Sequence, residues 1–356
     1  MKKVNIILFG IGNVGSTLIE QLFDTKKQWE EHFGASINIP VIANSTKALF
    51  KAEGINENWE KDFKKSAEAY KLEDILDFTK ENDFEHLIAI DATASKEFVE
   101  IYIRLVQNGF SLVAANKVAN TLSADFYKKL RKELEYHGKH FLYETNVGAG
   151  LPIVQTIQGL HQAGEKITKV RGVFSGSLSY IFNTFSTNKE RFSEVLQKAD
   201  KLGYTEPDPR EDLSGNDVGR KLLILARELQ LEKEFEEVEI QSLIPEHLNG
   251  ETSAEEFQEN LGDLDEIFQQ RKKDQDTDHV LRYIGEIEVK KAALEAKLIS
   301  EPKNTALGQI KGADNIFEIY TESYGDQPLV IQGAGAGAAV TARGVVSDVL
   351  KIAQQL

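Results

Sequence analysis

The sequence predicts a two-part α/β protein, a doubly wound parallel sheet followed by an α+β domain, and three observations carry that expectation. From Val4 to Glu144 short apolar runs alternate with stretches of helical period, the pattern of parallel strands joined by crossover helices. A glycine-rich turn, Gly10-Ile11-Gly12-Asn13-Val14-Gly15, directly follows the first apolar run. Beyond Pro152 helix-like stretches come first and strand-like stretches later, the order of an α+β domain. The length of 356 residues is roughly that of two domains.

The expected strands of the first part are Val4–Phe9, Ile39–Ala43, His86–Ala92, Phe110–Ala114 and Phe141–Glu144, with an amphipathic helix over Ala124–Tyr136. Gly148, Gly150 and Pro152 mark a boundary, so residues 1–147 are assigned to the first domain. Residues 148–325 form the second, with helical patterns at Leu151–His161, Tyr180–Asn188 and Ser214–Gln230. Ser253 with Glu256 reads as a capping box, and strands are expected at Val280–Glu288, Leu294–Ile299, Ile316–Thr321 and Leu329–Gln332. The last segment, residues 326–356, carries a helix over Ala339–Leu350 that is expected to return to the first domain.

Composition narrows the function. With 42 basic and 57 acidic side chains the net charge is -15, which opposes attraction to nucleic acid or anionic lipid. No apolar run approaches the ~20 residues of a bilayer span. The opening Met1-Lys2-Lys3 and its apolar run resemble a secretory leader, but glycines interrupt it without a small-residue cleavage site, so a first strand and a cytoplasmic protein are expected. There are no cysteines, which excludes disulfides, thiolate metal sites and a thiol nucleophile. An aldehyde needs an added nucleophile before it can release hydride, whereas an alcohol needs only a base. Any dehydrogenase chemistry is therefore expected to be alcohol/aldehyde interconversion.

A strand, then GxGxxG, then a helix is the context in which that motif binds a dinucleotide, as in Rossmann-type sheets. Gly10 permits the tight turn, Gly12 lets the backbone approach a pyrophosphate, and Gly15 allows close helix–strand packing, while Asn13 and Val14 open the helix whose N-terminus faces the anion. The second strand ends in Asn44-Ser45-Thr46-Lys47, without the carboxylate that would bind a ribose diol and repel a 2′-phosphate. NADP(H) is therefore favoured, with NAD(H) permitted. Asp91-Ala92-Thr93 and Ala115-Asn116-Lys117 end later strands where an open parallel sheet places ligand groups. His137 and His140 flank Gly138 and lack a suitable carboxylate pair, so no transition-metal site is expected there.

In the second domain Asp217 and Lys221 lie four residues apart on one helix face, with Ser214 as a possible cap and Glu206 and Asp212 just upstream. Three carboxylates and a lysine could converge on one polar cavity, or the pair could be an ordinary ion pair on a solvated helix. The segment from Ala199 through Gly203-Tyr204-Thr205 to Asp212-Leu213-Ser214-Gly215-Asn216-Asp217 and Lys221 resembles the signature of homoserine dehydrogenases. The resemblance extends over essentially the whole chain: the opening glycines, Ala115-Asn116-Lys117, the run Glu144 to Pro152, Phe174 to Tyr180, and Gln332 to Gly337. It is to the short, monofunctional form, with neither an aspartokinase nor a regulatory domain.

The resemblance implies a homodimeric enzyme that interconverts L-homoserine and L-aspartate 4-semialdehyde in threonine, methionine and isoleucine biosynthesis. It implies Lys221 as proton donor and acceptor, Asp217 beside the reacting hydroxyl, Glu206 on the substrate ammonium and Asp212 in the same cluster. Lys117 would lie near the nicotinamide ribose and the substrate, with Thr93 and Gly337 on the cofactor. Backbone carbonyls of Glu144, Val147, Ala149 and Leu151 would hold a monovalent cation, sodium or potassium. Two other readings remain open on the residues alone: a dehydrogenase of another hydroxy or amino acid, and a non-catalytic dinucleotide-binding regulator.

Overall fold

The computed structural model describes residues 2–249 and 252–356. It divides into a first compact unit, which runs to Gly150 and resumes at Gly337, and a second from Leu151 to Ala336.

The first unit is built on β1 (Lys2–Phe9), β2 (Ala35–Ala43), β3 (Lys47–Phe50), β4 (Glu68–Ala69), β5 (Leu87–Asp91), β6 (Ser111–Ala114) and β7 (Phe141–Leu142). Their order in the sheet is β4-β3-β2-β1-β5-β6-β7. The strands from β2 to β7 through β1 are parallel, as expected. β3 and β4 were not expected and are antiparallel, so the sheet is parallel with a short antiparallel edge. The chain leaves β1 toward β2 on one side and returns to β5 on the other, which puts a topological switch point at the end of β1. β1 is buried continuously from Val4 to Phe9 because both sheet faces are covered, so it reads as an apolar run rather than an alternation. The one polar residue of that buried run, Asn5, donates to the Glu85 carbonyl at 2.7 Å and accepts from Asn38 Nδ2 at 2.9 Å.

The last helix, Ala338–Gln355, belongs to this unit and buries Ala342, Val345, Val349 and Ile352 in the core that holds Leu18, Ile19 and Leu22 of the first helix, Asn13–Phe33. Each fully buried aliphatic of valine size or larger contributes ~1.5–3 kcal/mol. The return begins at Gly337 and not at residue 326. Leu329–Ala334, expected to travel with the C-terminal segment, is instead an edge strand of the second sheet.

The second unit contains β8 (Ile167–Val173), β9 (Glu239–Ile240), β10 (His279–Glu288), β11 (Ala293–Pro302), β12 (Asp314–Thr321) and β13 (Leu329–Ala334), in the order β13-β12-β8-β10-β11-β9. Central β8 escapes a pattern search because it carries Lys169 and Arg171. Arg171 is accommodated by Glu318 at 2.7 Å and Glu301 at 3.4 Å, both buried, so the partners that allow a charge there come from distant strands. Helices Gly176–Thr187 and Asn216–Glu228 pack on β10, and the rings of Phe174 and Phe317 meet at 4.7 Å beneath them. The first of these starts four residues earlier than its apolar pattern, because the Ser175 side chain caps it by accepting from Leu178 N.

Candidate functional site

In the first unit the expected ligand-facing segments all lie at the carboxyl ends of parallel strands and are stitched together there. Gly10 N donates to Ala43 O at 2.8 Å, Ala92 N to Phe9 O at 2.8 Å, and Ala115 N to Asp91 O at 2.9 Å. Two of the three glycines of the turn are imposed by the protein's own backbone, and the third is not. Gly10 has φ +93°, and a Cβ on it would stand 2.7 Å from the Ala92 backbone. A Cβ on Gly15 would stand 1.8 Å from the Gly10 carbonyl oxygen. Gly12 has an ordinary φ of -73°, and a Cβ there would meet nothing within 4 Å. The protein itself does not demand a glycine at Gly12; the open space above it does suit a close-lying ligand. Asn13 and Val14 begin the helix, whose first turn holds no acidic side chain, so its positive end is left to an anion. Gly337, with φ +115°, begins the last helix and likewise has open space at its Cβ position.

Asp91 is turned inward rather than toward a ligand. It is 2% exposed, and its carboxylate accepts from Tyr102 Oη at 2.6 Å, Thr93 N at 2.8 Å and Asn116 Nδ2 at 3.0 Å. Burial pushes its carboxyl above the usual aspartate range, against those hydrogen bonds, which pull it down. Asn116 also donates to Ser95 O at 2.8 Å and accepts from Val118 N at 3.0 Å, so the network sets the backbone on either side of half-buried Lys117. At the end of β2 the Asn44 side chain accepts from Thr46 N and Lys47 N at 2.9 and 2.7 Å, a tight turn that leaves Ser45, Thr46 and Lys47 exposed and no carboxylate among them.

The second unit brings the acidic residues and the lysine together. Pro209 opens a short helix, Pro209–Leu213, capped by Asp208, whose side chain accepts from Arg210 N at 3.0 Å. The next helix starts at Asn216, and its cap is Gly215 rather than Ser214. Gly215 has φ +75°, and a Cβ on it would stand 2.0 Å from Tyr283 Oη. One turn in, Lys221 Nζ lies 2.7 Å from Asp217 Oδ2 and donates to the Phe174 carbonyl at 2.7 Å. Lys221 is only 7% exposed, while the Asp217 side chain is 44% exposed. A solvated ion pair leaves both partners wet, and this one does not. Asp212 accepts from Glu206 N at 2.8 Å and is bonded by the Ser177 side chain, so it anchors the loop that presents the exposed Glu206. Burial first, then the charges of Asp217 and Glu211, raise the Asp212 carboxyl above its usual range. Tyr204 of the same loop stacks on Tyr180, with ring centroids 4.4 Å apart.

The run from Glu144 to Leu151 is a 3-10 turn over Glu144–Asn146 followed by left-handed Gly148 and Ala149, with φ of +77° and +52°. The Glu144 carbonyl accepts from Val147 N at 3.3 Å, and that of Leu151 from Ile153 N at 2.9 Å. Each carbonyl oxygen has a second lone pair for a further partner. Within the first unit Asp348 holds Glu144 N at 2.9 Å, and the last helix approaches closely at Gly344, where a Cβ would stand 2.5 Å from Thr145 Cγ2.

Two family models cover the chain: residues 10–144 match the homoserine dehydrogenase NAD-binding domain and residues 152–350 the homoserine dehydrogenase domain. The chain belongs to the homoserine dehydrogenase family. It is 38% identical over 366 residues to the homoserine dehydrogenase of Saccharomyces cerevisiae, covering 100% of this chain and 99% of that one. It is 40% identical to the bifunctional aspartokinase/homoserine dehydrogenase of Buchnera aphidicola, covering 98% of this chain and 43% of that one. The chain thus spans about two fifths of the length of the bifunctional relatives it matches. A hyperthermophilic archaeal homoserine dehydrogenase solved in complex with NADPH shares the fold, with a TM-score of 0.75 at 22% identity, covering 99% of this chain and 98% of that one.

Several contacts of the cluster around Lys221 were not read from the sequence. The Phe174 carbonyl, the Ser177 hydroxyl and the Tyr180–Tyr204 stack all come from the segment Phe174 to Tyr180, whose resemblance to the family was visible but carried no assigned role. A turn from strand to helix with Ser-Gly-Ser was the available signal. Asn315, which donates to the same Phe174 oxygen at 3.0 Å, had no signal at all.

Proposed function

We propose that this chain interconverts L-homoserine and L-aspartate 4-semialdehyde with a nicotinamide dinucleotide, and that Lys221 carries the proton. The observation that supports this most is the near-complete burial of Lys221 between the Asp217 carboxylate and the Phe174 carbonyl. A dinucleotide would be held by the turn from Gly10 to Gly15, its pyrophosphate over Gly12 and the helix N-terminus at Asn13 and Val14, with Thr93, Lys117 and Gly337 at its edges. When bound, it takes or returns the hydride at the substrate carbon that bears the oxygen. Lys221 takes the hydroxyl proton as homoserine is oxidised and returns it to the aldehyde oxygen on reduction. Asp217 fixes the amine's direction at the rim, Glu206 holds the substrate ammonium, and Asp212 keeps the Glu206 loop in place.

The neutral and basic residues at the end of β2 support NADP(H) over NAD(H), since nothing there repels a 2′-phosphate. A hard monovalent cation, sodium or potassium, would be held by the backbone carbonyls of Glu144, Val147, Ala149 and Leu151; the left-handed Gly148 and Ala149 in that run support a turn of this kind. The partner of a homodimer would lie on the open face of the second sheet. There half-buried Lys169, Arg171 and Lys297 alternate with Glu286 and Glu295, a mixed-sign surface that can pair with a copy of itself. No helix among the described residues is long and apolar enough to cross a membrane.

The test is the change in nicotinamide absorbance with L-homoserine and each oxidised dinucleotide, in the presence and absence of sodium or potassium. NADP-linked turnover at least equal to NAD-linked turnover is expected. No turnover with homoserine would overturn the reading, and a strong preference for NAD would overturn its cofactor half.

A further inference from the structure

We propose that Asn315 is a positioning residue for Lys221 and acts through the carbonyl of Phe174; this rests on the reading of Lys221 as the proton-transfer group. Asn315 lies near the start of β12, opposite Gly333 of β13, and is fully buried. A Cβ on Gly335 would stand 2.1 Å from the Asn315 Cγ, so the amide occupies space that the missing side chain of Gly335 leaves. Its Nδ2 donates to the Phe174 oxygen at 3.0 Å, the oxygen that also accepts from Lys221 Nζ at 2.7 Å.

Because a carbonyl can only accept, the amide must present its NH2 end to Phe174 and turn Oδ1 away. That Oδ1 is buried and has no hydrogen-bond partner among the described residues. The side chain therefore makes its bond at one place, and burying the other end is unfavourable. A role in packing alone would be served better by an apolar residue, since Lys221 already satisfies the Phe174 oxygen. Phe174 itself lies between the last residue of β8 and the Ser175 cap, outside both the strand and the helix. Two donors, one from a helix and one from a strand, share its oxygen, which has a lone pair for each, and together they restrain the peptide plane. The direction from which Nζ is held is fixed with it. A displacement of about 1 Å in a reacting group can reduce turnover by ~10²-fold, so a small change at Phe174 has a large kinetic lever.

The experiment is a double-mutant cycle on homoserine oxidation using Asn315→Ala and Lys221→Ala, with KM and dinucleotide Kd measured on each protein. Asn315→Ala is expected to lower kcat by ~10- to 100-fold with KM and NADPH affinity nearly unchanged. In the Lys221→Ala background the same substitution is expected to change the residual rate by less than about twofold, because the group it positions is gone. An equal loss in both backgrounds would show a merely structural residue and overturn the proposal, as would unchanged kcat in a folded Asn315→Ala protein. Asn315→Ser, which removes less volume, carries the same cycle if the alanine variant does not fold. Parent-like turnover by Lys221→Ala would overturn the proton-transfer reading and this proposal together, whereas a large Lys221→Ala loss with no cycle coupling would overturn only this proposal.

Discussion

The turn from Gly10 to Gly15 and the cluster around Lys221 are built in opposite ways. The turn is local: six consecutive residues, made almost wholly of backbone, whose Gly10 and Gly15 answer to contacts between residues a few positions apart or one strand away. The cluster is assembled from afar. Lys221 and Asp217 come from one helix turn, but the oxygen that receives Nζ belongs to Phe174, 47 positions earlier, and the amide that shares it comes from β12. A backbone-made site tolerates little change in its own residues and is nearly indifferent to the rest of the chain. A side-chain site is the reverse, with single positions open to substitution and function resting on partners elsewhere.

Perturbing each region in turn sharpens that contrast. The largest loss of stability is expected at Gly15→Ala, whose new Cβ would stand 1.8 Å from the Gly10 oxygen. Something must shift, at ~3 kcal/mol, and thermal unfolding should report it together with weakened dinucleotide binding. Wild-type stability would show that the turn can relax and that its glycines are not backbone-imposed. Next is Asp91→Asn, which sets an amide nitrogen against the donors that Asp91 now receives, at ~1–3 kcal/mol. The pH dependence has a definite sign. The folded-state pKa of Asp91 is raised, so the native protein keeps that proton more readily than the unfolded chain does. Wild-type stability from this group is full below the ordinary aspartate range and falls as pH rises through the folded value. The asparagine variant lacks that titration, so its deficit in melting temperature should narrow as pH rises; a deficit that widens would contradict the direction. The smallest effect is on binding: Glu206→Ala should raise KM for homoserine ~10-fold with kcat nearly kept, as for an ammonium anchor used in ground and transition states alike. A drop in kcat at constant KM would move Glu206 from binding to chemistry.

The same contrast explains what the sequence could reveal. The first sheet was legible because its parallel strands are buried on both faces and its ligand turn is contiguous. Only the short antiparallel strands Lys47–Phe50 and Glu68–Ala69, too brief to show a pattern, were missed. β8 was missed for a physical reason: the buried carboxylates of Glu301 and Glu318 let Arg171 sit mid-sheet, and a charge reads locally as a surface. Asp217 and Lys221 were legible from helix spacing, but the burial of Lys221 was not, since it goes with a carbonyl acceptor at Phe174, far away in the sequence. Asp91 was read as facing a ligand because it ends a strand; Tyr102 and Asn116 turn it inward instead.

Two substitutions measured side by side test the division of labour most directly. Gly12→Val adds a Cβ that meets nothing within 4 Å beyond its chain neighbours, so the fold should survive while the dinucleotide is excluded. Lys221→Ala removes the proposed proton carrier, so kcat for homoserine oxidation should fall by ~10²- to 10⁴-fold while NADPH affinity stays within about twofold of the parent. The measurement is NADPH Kd and homoserine kcat on both folded proteins. A mirror image is expected: affinity lost and fold kept in the first, affinity kept and turnover lost in the second. Near-normal turnover by Lys221→Ala, or unchanged NADPH affinity in Gly12→Val, would contradict it.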